Sequence, residues 1–186
     1  MHHLLCMRHL AWIVLLGTLL SGCLTISRFE RGRLKPAPIP VTEVAFEQVK
    51  GLIVLEATVN GVKGRFLLDN GFSLSALNPG FAARAGIRFR GSVKLVDANK
   101  KSTQTGEATV DNVVIGQHTF LRTGFYAIDT RRFFPCDSLD GVIGASIINK
   151  INWQIDFNTQ RLRLSPEPFA ASGQALAIDG HTERMS

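Results

Sequence analysis

The sequence predicts a small, mainly β fold with one or two short helices. Short apolar segments of strand length recur between residues 46 and 165, and turn-forming Asn, Asp and Gly separate most of them. No long amphipathic helix is present, and the two segments with helical character start near Pro79 and Ala145. We therefore expect mostly antiparallel strands that form a small closed barrel.

The first 22 residues have the pattern of a signal peptide. The apolar run from Leu10 to Leu20 is too short to span a bilayer, which takes roughly 20 residues. Leu20-Ser21-Gly22-Cys23 resembles the lipobox of bacterial lipoproteins. The resemblance implies that Cys23 is the mature N-terminus and carries acyl chains such as palmitate. A plain secretion signal and an uncleaved apolar anchor are the alternatives.

Three further segments follow this leader. Residues 24–45 contain LKPAPIPVTE, which predicts an extended, proline-rich tether. Residues 46–165 form the predicted domain, and residues 166–186 lack periodicity and predict a flexible tail. No acidic residue directly follows Cys23, which by the same resemblance favours the outer over the inner membrane if the cell has two, with the domain facing the periplasm.

The elements of the domain follow from local signals. Asn60-Gly61 joins two apolar strands, because both residues tolerate positive φ. Asn78-Pro79 predicts the start of a short helix that ends near Gly86. Next come two strands around a polar loop at residues 99–102, another strand from His118, and a short strand, glycine turn and helix in LDGVIGASIINK. A final hairpin turns at Asn158-Thr159.

Composition argues against several classes of function. The formal charge is +6, but the basic residues are scattered and no aromatic-interleaved basic helix occurs, so nucleic-acid binding is not expected. Beyond Cys23 the only cysteine is Cys136, which cannot form an internal disulfide and is expected to be a partly buried free thiol. No set of zinc ligands occurs, and we expect neither a metal nor an organic cofactor.

Three stretches resemble the retropepsin-like aspartic proteases, in particular the small single-domain bacterial members. GLIVLEATVNGVKGRFLLDNGFSLSALNP is similar to the strand pair that leads into the Asp-Thr-Gly turn of that family. LDGVIGASIINK is similar to the later element that packs beside this turn, and WQIDFNTQRLRL to the terminal hairpin. The likeness extends over most of residues 50–165, so it is more specific than an isolated Asp-x-Gly, in which the aspartate could simply cap a turn.

The resemblance implies a catalytic residue and an assembly. In this family two carboxylates share one proton and activate a water molecule. One domain supplies one such carboxylate, Asp69, so the resemblance implies a homodimer in which Asp69 of both subunits meet at a two-fold axis. Asn70, Gly71 and Ser73 would support the catalytic turn. The tentative substrate cleft would contain Phe72, Ala98, Asn99, Ile143 and Gly144.

The function implied is a membrane-anchored aspartic endopeptidase that hydrolyses peptides or proteins, but several positions depart from the family pattern. Asn70 replaces a Thr or Ser that bridges the dimer axis, and Phe72 replaces a small residue. Ser146 stands where bacterial members often have an acid. Lys100-Lys101 is either a solvated hairpin tip or a basic flap that favours acidic peptides. The alternative function is therefore an inactive relative that binds peptides or scaffolds an envelope complex.

Overall fold

The computed structural model describes residues 32–35, 37–96, 100–132 and 138–170, and it confirms a mainly β fold with two short helices. The predicted signal peptide, Cys23, Cys136 and most of the predicted tail lie outside the described residues. The strands are β1 Arg33–Lys35, β2 Thr42–Val49, β3 Leu52–Val59, β4 Val62–Leu68, β5 Ser75–Leu77, β6 Arg90–Val96, β7 Ser102–Ile115, β8 His118–Ala127, β9 Gly141–Ile143, β10 Asn152–Asp156 and β11 Arg161–Ser165. The helices are α1 Pro79–Arg84 and α2 Ala145–Ile148.

The predicted hairpin between β3 and β4 is confirmed. Asn60 and Gly61 adopt φ of 47° and 84°, and Val59 and Val62 close the ladder on either side of them. These are the left-handed conformations that a two-residue turn of this kind requires. The turn therefore sets the register of β4 and brings its far end to Asp69.

Strand β9 lies between β4 and β5. It runs parallel to β4, with Leu68 opposite Ile143, and antiparallel to β5, with Ala76 opposite Val142. The loop that joins β4 to β5, residues 69–74, therefore crosses the end of β9. This arrangement places the Asp-Asn-Gly turn against the chain that follows Ile143.

Strands β6, β7 and β8 form an antiparallel sheet that continues from β5. The long strand β7 pairs with β6 on one side, and on the other it pairs with β8 across a turn at Gly116, which has φ of 58°. Strand β8 pairs in parallel with β5, and β7 also pairs with β3 at Thr58 and Val59. Hydrogen-bonded pairing therefore continues from strand to strand in the order β3, β4, β9, β5, β8 and β7, and β7 in turn pairs with β3.

The chain enters the sheet earlier than the predicted domain boundary at residue 46. Residues 33–35 pair with β8, and β2 starts at Thr42 and pairs with both β3 and β11. The prolines dominate the composition of this segment, whereas the alternating TEVAFEQV after them has the period of a half-buried strand. Part of the predicted tether therefore belongs to the folded domain.

The core is aromatic at its centre. Phe66 and Phe81 are almost completely buried and meet edge to face, with ring centroids 5.5 Å apart. Phe120 and Phe125 of β8 belong to the same cluster. A smaller apolar cluster, which we call the turn cluster, consists of Val54, Leu67, Ala76, Leu139 and Val142 and lies next to the Asp-Asn-Gly turn.

Local capping signals are also confirmed. Asn78 caps α1 by accepting a hydrogen bond from the Gly80 amide at 2.9 Å, and Gly86 after the helix adopts φ of 68°. In the last hairpin Asp156 accepts hydrogen bonds from the amides of Asn158 and Thr159, where the turn was predicted. None of the described helices is long and apolar enough to cross a membrane.

Candidate active site

Asp69 follows the buried end of β4 directly, and its backbone is fixed by the neighbouring strand. The Asp69 amide donates to the carbonyl oxygen of Ile143 at 3.0 Å. Because β4 is paired with β3 on one side and β9 on the other, the start of the turn has little freedom to move. The Asp69 side chain is half-buried and the next two residues are exposed.

The carboxylate of Asp69 shapes its own turn. Its Oδ1 atom accepts a hydrogen bond from the Gly71 amide at 2.9 Å, and its carbonyl oxygen accepts one from the Phe72 amide at 3.3 Å. Within the part of the chain that the structure describes, Oδ2 has no hydrogen-bond partner. One oxygen thus orients the carboxylate, and the other can accept a proton or a hydrogen bond from a water molecule or a substrate.

Gly144 supports the turn through close backbone contact. A Cβ atom built on Gly144 would lie 1.6 Å from the Leu74 carbonyl oxygen and 2.6 Å from that of Phe72. The next amide, of Ala145, donates to the same Phe72 oxygen at 2.8 Å. Only a residue without a side chain lets the two segments approach so closely. This contact explains the apolar-apolar-Gly pattern that precedes α2.

Two serines complete the support. Ser75 is fully buried, and its hydroxyl accepts a hydrogen bond from the Gly144 amide at 3.1 Å. The Ser75 and Ser146 hydroxyl oxygens lie 2.9 Å apart and share a further hydrogen bond. Ser146, which stands where an acid was expected by resemblance, therefore helps to hold the turn. Ser75 was not among the predicted site residues, although its hydroxyl within the apolar stretch LSAL was a usable signal.

A cleft of about 640 Å³ opens beside the turn. It extends from Gly71, Phe72 and Ser73 to the hairpin of β6 and β7 and to the end of β8. Its remaining lining residues are Leu95, Val96, Lys101, Thr103, Gln104, Thr105, Tyr126, Ala127, Ile128, Asp129 and Arg132. A cleft of this size can hold several residues of an extended peptide.

The family model described as aspartyl protease matches residues 55–147, which is half of the chain and includes the turn, the cleft and β9. The chain belongs to the aspartyl protease family. The prediction at the level of the family is therefore confirmed. The lipoprotein, the closed barrel and the homodimer stay predictions.

The individual relatives named below share less than a third of their residues with this chain. It is 29% identical over 100 residues to the retrovirus-related Pol polyprotein from transposon 412 of Drosophila melanogaster; the match covers 54% of the chain and only 8% of that protein. A retropepsin-like aspartic protease from Rickettsia conorii is 21% identical, with a TM-score of 0.46 over 72% of this chain and 92% of that one. The retroviral protease-like domain of Ddi1 from Leishmania major is also 21% identical, with a TM-score of 0.38 over 62% and 94%.

The predicted site residues occupy different environments. Phe72 lines the cleft and packs on the turn cluster, while Ser73 is exposed at the cleft wall. Ile143 and Gly144 are buried under the turn and do not line the cleft, because their strand passes between β4 and β5. Ala98 and Asn99 lie outside the described residues. Asn70 is exposed, and its side chain forms no hydrogen bond within the described part of the chain.

The cleft wall formed by the end of β8 was missed by sequence analysis. Tyr126 and Ile128 line the cleft and pack on the turn cluster together with Phe72. Burial, with a smaller contribution from the negative charge of Glu107, raises the pKa of Tyr126, so the phenol stays neutral at ordinary pH. The sequence signal for this wall was weak: a tyrosine and several charged residues occur together at the end of a strand.

Asp129 and its arginine neighbours form the charged part of this wall. Asp129 accepts from the Arg131 guanidinium at 3.1 Å and from the Arg131 amide at 3.2 Å. The side-chain hydrogen bond from Arg131 lowers the pKa of Asp129, so this carboxylate remains ionised. Among the described residues, no group of three or more His, Cys, Asp or Glu side chains could hold a metal ion.

Proposed function

We propose that this chain is a membrane-anchored aspartic endopeptidase in which Asp69 of two subunits activates the attacking water molecule. One observation carries the proposal: Asp69 stands on a rigid turn beside a cleft of peptide size, with one carboxylate oxygen held by the Gly71 amide. Membership of the aspartyl protease family supports the same reaction. The carboxylate acts first as general base and then as general acid, which contributes roughly 10²–10⁴-fold to the rate.

The surroundings of Asp69 support the proposal of a second subunit. Asp140 is the nearest carboxylate along the paired strands, but it lies beside Arg65, about four residues or 13 Å of strand from Asp69. Both of its oxygens are already engaged, by the Arg65 amide at 3.0 Å and the Arg84 guanidinium at 2.9 Å. A second copy of the chain is the simplest source of the partner carboxylate, which supports the proposed homodimer.

The proposed anchor is lipidated Cys23, in the outer membrane and with the domain facing the periplasm. Strand β1 starts at Arg33, ten residues after Cys23. Ten residues reach at most about 35 Å. A tether of this length keeps the proposed enzyme close to the membrane surface and limits its substrates to peptides and proteins that reach the envelope.

The first experiment measures mass and cleavage together. The full-length protein, purified in detergent, is examined by light scattering over a concentration series and incubated with a mixed peptide library, with and without pepstatin. We expect a dimer whose pepstatin-sensitive kcat/KM falls at least about 10²-fold in Asp69→Asn. Asp111→Asn, which alters an exposed aspartate of β7, is the matched control and should cleave normally. Cleavage that survives in Asp69→Asn would remove Asp69 from the mechanism.

A non-catalytic peptide-binding protein is the second candidate, and Asn70 motivates it. The exposed Asn70 side chain is longer and more planar than the hydroxyl that the family resemblance implies at this position, so two turns would meet less closely across a dimer axis. A misplacement of about 1 Å can cost roughly 10²-fold in rate. If the wild-type protein does not cleave and Asn70→Thr does, the non-catalytic candidate is favoured. Equal cleavage by both proteins argues against it.

A further inference from the structure

We propose that the cleft selects substrates that place a carboxylate on Arg132 next to an apolar side chain on Phe72, Tyr126 and Ile128. For cleavage this inference rests on the proposed function, but substrate binding tests it separately. The carboxylate can come from an Asp or Glu side chain or from the C-terminus of the substrate. Both sources present the same two-oxygen acceptor to a guanidinium.

The charge balance of the cleft supports this selection. Its charged lining residues are Lys101, Asp129 and Arg132. Asp129 is already paired with Arg131, which does not line the cleft, through Nε to Oδ1 at 3.1 Å. Arg132 is exposed and has no ion-pair partner within 4 Å among the described residues. Arg132 therefore presents an exposed positive charge to a ligand at this end of the cleft.

The backbone that carries Arg132 is held in place. Residues Thr130–Arg132 form one turn of 3₁₀ helix, in which the Arg132 amide donates to the Asp129 carbonyl oxygen at 3.2 Å. The buried Thr130 hydroxyl donates to the Leu139 carbonyl oxygen at 2.6 Å and accepts from the Asn78 side chain at 3.2 Å. These bonds connect the 3₁₀ turn to α1 and to the chain before β9. They therefore restrict the backbone position of Arg132.

The apolar floor lies next to this charge. Phe72, Tyr126 and Ile128 are partly exposed to the cleft and rest on the buried turn cluster. Tyr126 adds no negative charge, because a phenol is neutral at ordinary pH and burial raises its pKa further. A planar guanidinium donates two parallel hydrogen bonds to the two oxygens of a carboxylate. A glutamine side chain in the substrate has one acceptor oxygen and no negative charge, so it binds the guanidinium less strongly. The cleft thus selects substrates by their charge at the Arg132 end and by their apolar side chains at the Phe72 end.

The test compares matched peptides. A Phe-Glu peptide and its Phe-Gln counterpart, both acetylated and amidated, are titrated by fluorescence anisotropy into full-length Asp69→Asn, which binds without cleavage. A third peptide carries Gln and a free C-terminal carboxylate. We expect the Glu peptide to bind about 3–10-fold more tightly than the Gln peptide at low salt. The advantage should shrink as salt is raised. The same ratio is expected in kcat/KM of the wild-type protein.

The variants assign this preference to one residue. Arg132→Gln should bring the Glu-to-Gln ratio close to one, and Arg132→Glu should favour a Phe-Lys peptide instead. Arg88→Gln, which removes an exposed charge outside the cleft, should keep the wild-type ratio. Circular dichroism checks that all variants fold. If the free C-terminal carboxylate raises the affinity of the peptide more than the Glu side chain does, the C-terminal carboxylate is the ligand of Arg132.

Two results separate this inference from the proposed function. Equal binding of all three peptides to a folded protein, or an unchanged preference in Arg132→Gln, would overturn the carboxylate site even if cleavage depends on Asp69. Conversely, an Arg132-dependent preference in a protein that never cleaves would support the site and refute the endopeptidase. The binding measurement gives an answer in either case.

Discussion

Ser75 and Ser146 share a hydrogen bond of 2.9 Å between their hydroxyl oxygens, although 71 positions separate them in the chain. Ser75 also accepts from the Gly144 amide, so it joins β5 to the start of α2 under the Asp69 turn. This buried pair explains how a chain without the acid expected at residue 146 still holds the turn. The pair gives the first of four predictions.

Ser75→Ala should destabilise the protein by about 1–3 kcal/mol, because it leaves the buried Gly144 amide without its acceptor. Urea unfolding followed by circular dichroism measures the change. Ser92→Ala is the matched control: Ser92 donates to Gln104 on the exposed sheet surface, so its loss should cost less than about 0.5 kcal/mol. Equal effects of the two substitutions would contradict a supporting role for Ser75.

Gly144→Ala should be far more damaging than its single added methyl group suggests. The new Cβ would lie 1.6 Å from the Leu74 carbonyl oxygen, so the backbone on one side must move. We expect a loss of about 3 kcal/mol or more and the loss of any activity that depends on Asp69. Gly80→Ala, whose Cβ would lie 3.3 Å from Asn78 Oδ1 at the start of α1, requires only a small shift of that side chain and should cost much less.

Asn78 should have two separable roles, because its Oδ1 caps α1 and its Nδ2 donates to Thr130. Asn78→Ala removes both contacts and should cost about 1–2 kcal/mol in urea unfolding. Asn78→Asp keeps the cap but not the donor, so it should retain more of the stability. If Asn78→Asp is as unstable as Asn78→Ala, the contact with Thr130 matters more than the cap.

The turn at Asp156 should make part of the stability depend on pH. Hydrogen bonds from Thr159, and a further one from Asn158, lower the pKa of Asp156 below the ordinary value of an aspartate. A group whose pKa is lower in the folded state stabilises the protein above its unfolded pKa, and this contribution disappears as the pH falls through the folded pKa. The wild-type advantage over Asp156→Asn should therefore be present at pH 6 and shrink below about pH 4. An advantage that is constant or grows in acid would contradict this assignment.

Local chemistry explains which parts of the fold could be predicted from the sequence. Asn60-Gly61 and Asn78-Pro79 specify their turn and cap through neighbouring residues, and both predictions are confirmed. The insertion of β9 between β4 and β5 depends on contacts between distant segments, and only the resemblance to a family suggested that this segment packs near the turn. Strand β2 was partly assigned to the tether, because the prolines before it dominated the composition.

In the candidate site, too, the residues marked by a local sequence pattern could be predicted, and those brought together by distant segments could not. Asp69 was singled out because an apolar strand runs into Asp-x-Gly, which is a local pattern. Asp129, Arg131 and Arg132 have no such pattern, since their importance comes from where β8 ends relative to Phe72. Ile143 and Gly144 were expected in the cleft, but Ile143 is completely buried and Gly144 packs against the carbonyl oxygens of Leu74 and Phe72 under the turn.

The position of β9 has a consequence for synthesis on the ribosome. The Gly144 amide and the Ser75 hydroxyl that holds it are 69 positions apart, so a chain that has emerged only as far as α1 lacks the strand that fixes Asp69. The carboxylate reaches its final geometry late, when most of the domain is already present. The Asp69 turn therefore gains its final support only after β9 and α2 have been synthesised, when most of the other strands are already present.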